Sequence, residues 1–285
     1  MNMKFSQRIG KRPIKTVLQI ESIDDDLMNR LWNTIIEDFF DKFSPLSFND
    51  EESEKGHICR LIWVEYFNYR IDEIPRYDHN RLVHSDGFIQ LLRSQFFQRM
   101  EWFEIYDFIE FLALVDSTDY SVGFTKLCNT ALKREVAGYR IVNECILQIT
   151  SEEEIKAIED AITNTDKWNS VNTHLKAAVD ILADRKTPEY RNSIKESISA
   201  VESFCRILTN DDKATLGKAL SEIEKTHKIH PALKTAFSSI YGYASDSGGI
   251  RHSLLEEDKK IEFEDAKFML VSCSAFINYL KAKVK

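Results

Sequence analysis

The amino-acid sequence predicts a mostly α-helical protein, and three observations support this prediction. Only nine glycines and five prolines occur in 285 residues, too few for a loop-rich all-β chain. Apolar side chains recur at steps of three and four residues in most segments, which gives a helix one apolar face. Hydrophobic residues make up 43% and charged residues 29% of the chain, as in ordinary globular proteins. This length accommodates two modest domains, each with its own core.

The first half of the chain is predicted to form a helical domain rich in aromatic residues. Its first helix covers residues 24–43, where apolar side chains follow one another at four-residue steps and so share one face. Pro75 interrupts the pattern after the second helix. Further helices are predicted over residues 56–69, 81–99, 102–115 and 120–136.

The periodicity changes over residues 138–149, where two short β-prone runs flank Asn143 and Glu144. This pattern predicts a small β-hairpin near the end of the first domain. Ser151 and Glu154 then have the spacing of a capping box, which opens a helix that runs to about Thr163. We expect the hinge between domains here, with the two domains covering residues 1–163 and 164–285.

The second half is predicted to form an antiparallel helical bundle, because five helical segments follow one another with short connections. Thr187 and Pro188 suit a helix cap and the first helical position. The five segments cover residues 166–185, 188–208, 212–227, 231–244 and 263–282.

The last of these helices is apolar on two rows. Such a helix is either fully buried within its domain or shared with a partner subunit, and we expect a homodimer through this bundle. One row is Ala266, Leu270, Cys273, Ile277 and Leu280, and the other is Phe268, Val271, Ala275 and Tyr279.

The net charge of −8 is divided unevenly between the two halves. Residues 1–163 contain 19 basic and 29 acidic side chains, whereas residues 164–285 contain 19 basic and 17 acidic ones. An acidic first half repels a polyanion, and the second half can accept one locally.

Cysteine usage and apolar run lengths predict a cytoplasmic protein without a membrane segment. The five cysteines are widely spaced and no pair has CxxC spacing, which is typical of buried reduced thiols. The first eight residues are not followed by the apolar run of a signal peptide, and the richest apolar segment, residues 105–115, is short and contains Asp107 and Glu110.

Sequence motifs for nucleotides, acyl transfer and metals are absent. Gly217 and Lys218 lack the glycine-rich loop of a P-loop, and neither GxGxxG nor GxSxG occurs. No further ligand joins His227 and His230. We therefore exclude ATPase, Rossmann and esterase functions, and expect neither a cofactor nor a metal. Histidines without a recognisable partner in the sequence include His57, His79 and His174.

The best candidate site lies in a glycine-containing turn before the last helix, where Arg251 and His252 are adjacent and Asp246 is close in sequence. An arginine holds a phosphate or a developing negative charge through its planar donor fork. A histidine takes and returns a proton near neutral pH. The pair suggests phosphodiester chemistry or phosphate binding.

The predicted helix over residues 188–208 carries possible supporting groups for this turn. If its polar row meets the turn, Asn192 or Glu196 orients the imidazole or pairs with the guanidinium. The alternative is a solvated row, with Arg251 capping the carbonyl end of the preceding helix. The row consists of Asn192, Glu196, Ser199 and Ser203, with Arg191 and Glu202 beside it.

Two parts of the chain resemble known families. Residues 4–8, 19–24 and 31–33 resemble the fourth type of AbiJ N-terminal domain, which is found in bacterial abortive-infection proteins. Residues 190–208, 249–252 and 265–270 resemble the HEPN domain that such domains usually precede.

The HEPN resemblance implies a compact helical bundle, dimerisation that brings two active turns together, and metal-independent cleavage of RNA. By this resemblance His252 serves the proton transfers and Arg251 the charge of the phosphate. HEPN nucleases usually separate these two residue types by four to six positions, whereas here they are adjacent. An irregular backbone at Gly248 and Gly249, or a second subunit, is then needed to bring both to one phosphate.

The sequence leaves three functions open. The first is an antiviral endoribonuclease that acts on RNA, with the acidic N-terminal domain sensing a trigger or restraining the nuclease. The second is a non-catalytic module of a defence system that binds nucleic acid, a nucleotide or a protein regulator. The third is a regulatory subunit for a separately encoded effector.

Overall fold

The computed structural model describes residues 5–9, 11, 17–45, 52–77, 82–115, 121–162, 166–184, 186–214, 216–227, 229–245 and 261–283. Over these residues the fold is helical apart from one short antiparallel hairpin, which confirms the predicted mostly α class. No helix in this part of the chain is long and apolar enough to cross a membrane. The chain divides into unit 1, Met1–Gln148, and unit 2, Ile149–Lys285.

Unit 1 is built around an apolar stripe on its second helix. The predicted stripe is fully buried at Leu27, Leu31 and Ile35, where the helix packs against the sixth helix of the chain. The helix ends at Asp38 and not at residue 43, and a 3-10 turn follows it. The elements of unit 1 are α1 (Phe5–Arg8), α2 (Asp25–Asp38), α3 (Glu54–Leu61), α4 (Ser85–Gln98), α5 (Trp102–Val115), α6 (Ser121–Arg134), β1 (Arg140–Val142) and β2 (Cys145–Leu147).

The predicted hairpin is confirmed, and side chains from two helices hold its edges. Asn143 and Glu144 have φ of 48° and 70°, the left-handed pair that a two-residue hairpin turn needs. The Asn129 side chain of α6 donates to the carbonyl of Ile141 and accepts from its N–H, both at 2.8 Å. Glu110 of α5 accepts from the N–H of Ile146 at 2.7 Å. The short sheet therefore leaves few backbone groups unpaired.

Unit 2 is a helical bundle in which the helices Asn169–Ala183 and Tyr190–Thr209 run antiparallel. The Ser193 hydroxyl donates to the Ala178 carbonyl at 2.8 Å, and Trp168 stacks on Phe204 with ring centroids 4.5 Å apart. The order of these two pairs along the chain shows that the two helices run antiparallel. The helices are α7 (Glu152–Ala161), α8 (Asn169–Ala183), α9 (Tyr190–Thr209), α10 (Leu216–His227), α11 (Pro231–Ser245) and α12 (Phe263–Lys283).

The two apolar rows of α12 have different environments within unit 2. The row that contains Leu270, Cys273 and Ile277 is buried against neighbouring helices, which confirms its place in the core. In the second row, Phe268 is 60% exposed and Ala275 is also exposed. The second row is therefore not buried inside unit 2.

Helix α7 belongs to unit 2, although the sequence analysis assigned it to the first domain. It packs against α12 and α8 within the bundle. The boundary between the two compact units therefore lies between Gln148 and Ile149. The functional limits of residues 1–163 and 164–285 stay a prediction.

Candidate functional site

The three central residues of the predicted site, Asp246, Arg251 and His252, lie outside the described residues. Their roles therefore stay predictions. The described residues on either side of this segment are Ser245, the last residue of α11, and residue 261, just before α12.

The ends of α11 and α12 next to this segment meet the start of α9 around Arg191. Partial burial raises the pKa of the Tyr243 phenol, the Asp265 carboxylate raises it further, and the Arg191 guanidinium lowers it. Asp265 and Arg191 therefore each lie within electrostatic range of Tyr243. The rings of Tyr190 and Phe263 meet edge to face, with centroids 6.1 Å apart. We call these five residues the Arg191 corner.

The Arg191 corner combines a permanent positive charge with an accessible phenol. Tyr243 is 49% exposed, so a ligand in solvent can reach it. Asp265 has a structural task, because its carboxylate accepts from the N–H of Glu262 at 3.0 Å at the start of α12. Arg191 is thus the group of this corner whose chemistry suits a phosphate.

Glu196 pairs with an imidazole, and that imidazole belongs to His174 of α8. Glu196 Oε2 lies 2.6 Å from His174 Nδ1, and each side chain is about one third exposed at 32% and 34%. The expectation that His174 has no partner is wrong, because its partner lies 22 residues away on the next helix. Whether Glu196 also serves His252 stays a prediction.

Arg191 and Glu196 project from different sides of α9. Five residues separate them, so their side chains diverge by about 140° around the helix axis. Asn192 uses its amide locally, donating to Glu189 at 2.7 Å and accepting from Lys195 at 3.4 Å. The structure therefore brings Arg191 to the corner and directs Glu196 towards α8.

Glu202 makes polar contacts on α9 that the sequence did not predict for the site. Its carboxylate accepts from the Tyr241 hydroxyl at 2.8 Å and from Arg206 at 3.4 Å. Eleven residues separate Arg191 from Glu202, so the two project within about 20° of each other around α9. The spacing of Arg191 and Glu202 already places them on one side of the helix. Tyr241, however, lies 39 residues after Glu202, and no local pattern indicates that contact.

The four buried cysteines are unsuited to catalysis or metal binding. Burial raises the pKa of Cys59, Cys205 and Cys273 to about 12, which suppresses the thiolate. Cys128 is also buried, and Cys145 is half-buried. Over the described ranges, no three His, Cys, Asp or Glu side chains form a group that could hold a metal ion.

Comparison with known protein families assigns the larger part of the chain. Residues 3–164 match the family model of AbiJ N-terminal domain 4, which is more than half of the 285 residues. The match includes nearly all of unit 1 and the whole of α7, and it confirms the resemblance of the first domain. The HEPN-like character of the remaining residues stays a prediction. Neither the curated proteins nor the solved structures that were compared with the chain give a match. The chain therefore belongs to the AbiJ N-terminal domain 4 family.

Proposed function

We propose that this protein is an abortive-infection defence protein whose HEPN-like C-terminal bundle cleaves RNA without a metal ion. Membership of the AbiJ family supports the defence role. A cytoplasmic location fits both the RNA substrate and the five free cysteines, because thiols stay reduced there.

The proposed cleavage is a transesterification within the RNA strand. His252 takes the proton from a ribose 2′-hydroxyl, whose oxygen bonds to the adjacent phosphorus while the bond from phosphorus to the 5′-oxygen breaks. A proton returned by histidine then neutralises the leaving oxygen. The products are a 2′,3′-cyclic phosphate and a 5′-hydroxyl. Arg251 balances the charge on the non-bridging oxygens.

The observation that carries the proposal is the Arg191 corner. Tyr243, which precedes the segment with Arg251 and His252, lies within electrostatic range of Arg191. Phe263, which follows the segment, meets the ring of Tyr190 beside Arg191. Arg251 and His252 lie between these two helix ends in the sequence, which supports the proposal. Arg191 then adds a second guanidinium to the phosphate site.

We further propose that two copies associate through the exposed apolar row of α12. Phe268 at 60% exposure and Tyr243 at 49% are large apolar side chains left open to solvent. Phe268 follows Asp265 by three residues and so lies within one turn of the corner. A dimer through this row brings two corners close together.

The test is RNA degradation by the purified protein in excess chelator. We expect His252→Ala and Arg251→Ala to abolish cleavage, and Arg191→Ala to reduce it about tenfold or more, as for loss of one charge-stabilising donor. The matched controls, His57→Ala and Arg70→Ala, change exposed residues of unit 1 and leave the rate unchanged. Equal activity in His252→Ala, Arg251→Ala and the wild type overturns the proposal.

One observation favours a non-catalytic binding module instead. Glu196, one of the two groups expected to orient His252, is engaged with His174. The module binds RNA, a nucleotide or a protein regulator stably and without turnover. In that case the two central substitutions lower the melting temperature, and no cleavage product forms in any sample.

A further inference from the structure

Helix α7 is shared between the family segment and the C-terminal bundle. The AbiJ match extends to residue 164 and so includes α7. The same helix packs inside unit 2, where its apolar side chains Ile155, Ile158 and Ala161 are buried. The AbiJ segment therefore ends in a helix that the bundle holds.

A polar stripe on α12 holds α7. Lys267 Nζ lies 3.4 Å from the Glu154 carboxylate, the Asn278 amide donates to the Ala157 carbonyl at 2.8 Å, and Lys281 Nζ donates to the Ala161 carbonyl at 2.7 Å. The order of these contacts means that α7 and α12 run in the same direction. We call the set Lys267, Ser274, Asn278 and Lys281 the polar stripe of α12, since the four project within about 60° of one another.

Two of these contacts recognise the backbone of α7 and not its side chains. Ala161 is the last residue of α7, and its carbonyl accepts from Lys281 at the C-terminal end of the helix. An ammonium group at this end also interacts favourably with the helix dipole. Burial lowers the pKa of Lys281, because its charge loses contact with water. This desolvation offsets part of the favourable free energy of the contact with the end of α7.

The middle of the polar stripe contains an unfavourable group. The Ser274 hydroxyl is fully buried and has no hydrogen-bond partner among the described residues. A buried hydroxyl without a partner weakens the contact that buries it, and water satisfies it when the contact opens.

Helix α7 also depends on its docking site for its helical form. It is ten residues long, and helices of this length are marginal in water on their own. Two kinds of contact attach α7 to the bundle: a small apolar face, and hydrogen bonds that water can replace. These are the properties of an element that opens locally while the rest of a unit stays folded.

We propose that α7 is a detachable docking helix, that the polar stripe of α12 is its receptor, and that undocking of α7 couples the AbiJ segment to the bundle. The docking itself does not depend on RNA cleavage. The consequence that undocking changes the nuclease rests on the proposed function.

Hydrogen exchange of the full-length chain, followed by mass spectrometry, tests the docking. In Asn278→Ala/Lys281→Met we expect residues 152–161 to exchange on the order of tenfold faster, because two donors to α7 are lost. Protection of α8 and α9 stays as in the wild type. The matched control Lys283→Met changes an exposed lysine two positions along α12 and leaves α7 protected. Unchanged exchange in α7, or an equal loss of protection in α8 and α9, overturns the proposal.

A second variant has the opposite expected sign and does not depend on weakening the fold. Ser274→Ala removes the unpaired hydroxyl, so α7 exchanges about threefold to tenfold more slowly. Ser272→Ala, on the other side of α12, corrects for the higher helix propensity of alanine. If both serine variants change α7 equally, the polar stripe is not its receptor.

RNA cleavage by the same proteins separates this inference from the proposed function. Faster cleavage by Asn278→Ala/Lys281→Met than by Lys283→Met supports a restraining role of docked α7. Cleavage that is equal in these two variants despite faster exchange in α7 contradicts the coupling. If no protein cleaves RNA, the proposed nuclease fails, and the exchange data alone decide whether α7 detaches.

Discussion

Over the described residues, aromatic packing is more extensive in unit 1 than in unit 2. In unit 1 aromatic rings pack on one another. The centroid of the Phe96 ring, for example, lies 5.4 Å from that of Trp32 and 5.2 Å from that of Phe97. In unit 2 several helix contacts are polar, such as the Ser193 hydroxyl bonded to the Ala178 carbonyl. Buried rings remove large apolar areas from water, whereas hydrogen bonds exchange with water at a small net free energy. We therefore expect unit 2 to open locally more easily than unit 1.

The largest expected effect is the loss of a ring from the aromatic core. Phe96 is fully buried, so Phe96→Ala should lower the free energy of unfolding of unit 1 by about 3–5 kcal/mol, through lost apolar burial and the cavity left behind. Denaturant unfolding, followed by the fluorescence of the tryptophans, measures this change.

Phe103→Ala is the matched control, because this ring of α5 is 49% exposed. We expect it to cost less than about 1 kcal/mol. If the two substitutions cost the same, the aromatic network is not what stabilises unit 1, and the contrast with unit 2 disappears.

Local patterns predicted much of this fold. The four-residue stripe of Leu27, Leu31 and Ile35 is buried as expected, because helical periodicity depends on neighbours in the sequence. The turn at Asn143 and Glu144 was also predictable, since a two-residue turn is a local choice of backbone angles.

Contacts between distant helices were not predictable in the same way. His174 and Glu196 are 22 residues apart, and Asn278 lies 121 residues from Ala157. A helical pattern gives the faces of each helix, but not which other helix lies against each face. For this reason the sequence analysis identified the polar row of α9 and missed the partner of Glu196, and it missed the docking of α7.

Thiol labelling compares the opening of the two units directly. Burial raises the pKa of Cys59 in unit 1 and of Cys273 in unit 2 to about 12, so each native thiol is almost fully protonated at pH 8. Modification then requires local opening. If unit 2 opens more easily, Cys273 should react with iodoacetamide about tenfold faster than Cys59. Mass spectrometry of peptides from timed samples gives both rates.

The pH of this experiment must stay near 8. A thiol whose pKa is raised in the folded state contributes stability that is present below its unfolded value of about 8.5, and that is lost as the pH rises towards 12. In denaturant the two cysteines should label at the same rate, which checks their intrinsic reactivity. Equal rates in the native protein would remove the distinction between the units.

The smallest expected effects come from one helix cap in each unit. Asp24 accepts from the N–H of Leu27 at 2.9 Å at the start of α2, and Ser151 accepts from the N–H of Glu154 at 3.2 Å at the start of α7. Each loses its capping bond on substitution by alanine, which typically costs about 1 kcal/mol.

The two caps should nevertheless differ in where this free energy appears. Because α2 is part of the cooperative aromatic core, Asp24→Ala lowers the global unfolding free energy of unit 1 by about 1 kcal/mol. If α7 opens separately, Ser151→Ala instead accelerates exchange in residues 152–161 and changes global unfolding of unit 2 by only a few tenths of a kcal/mol. An equal global effect of the two substitutions would mean that α7 unfolds together with its bundle, as α2 does with the core of unit 1.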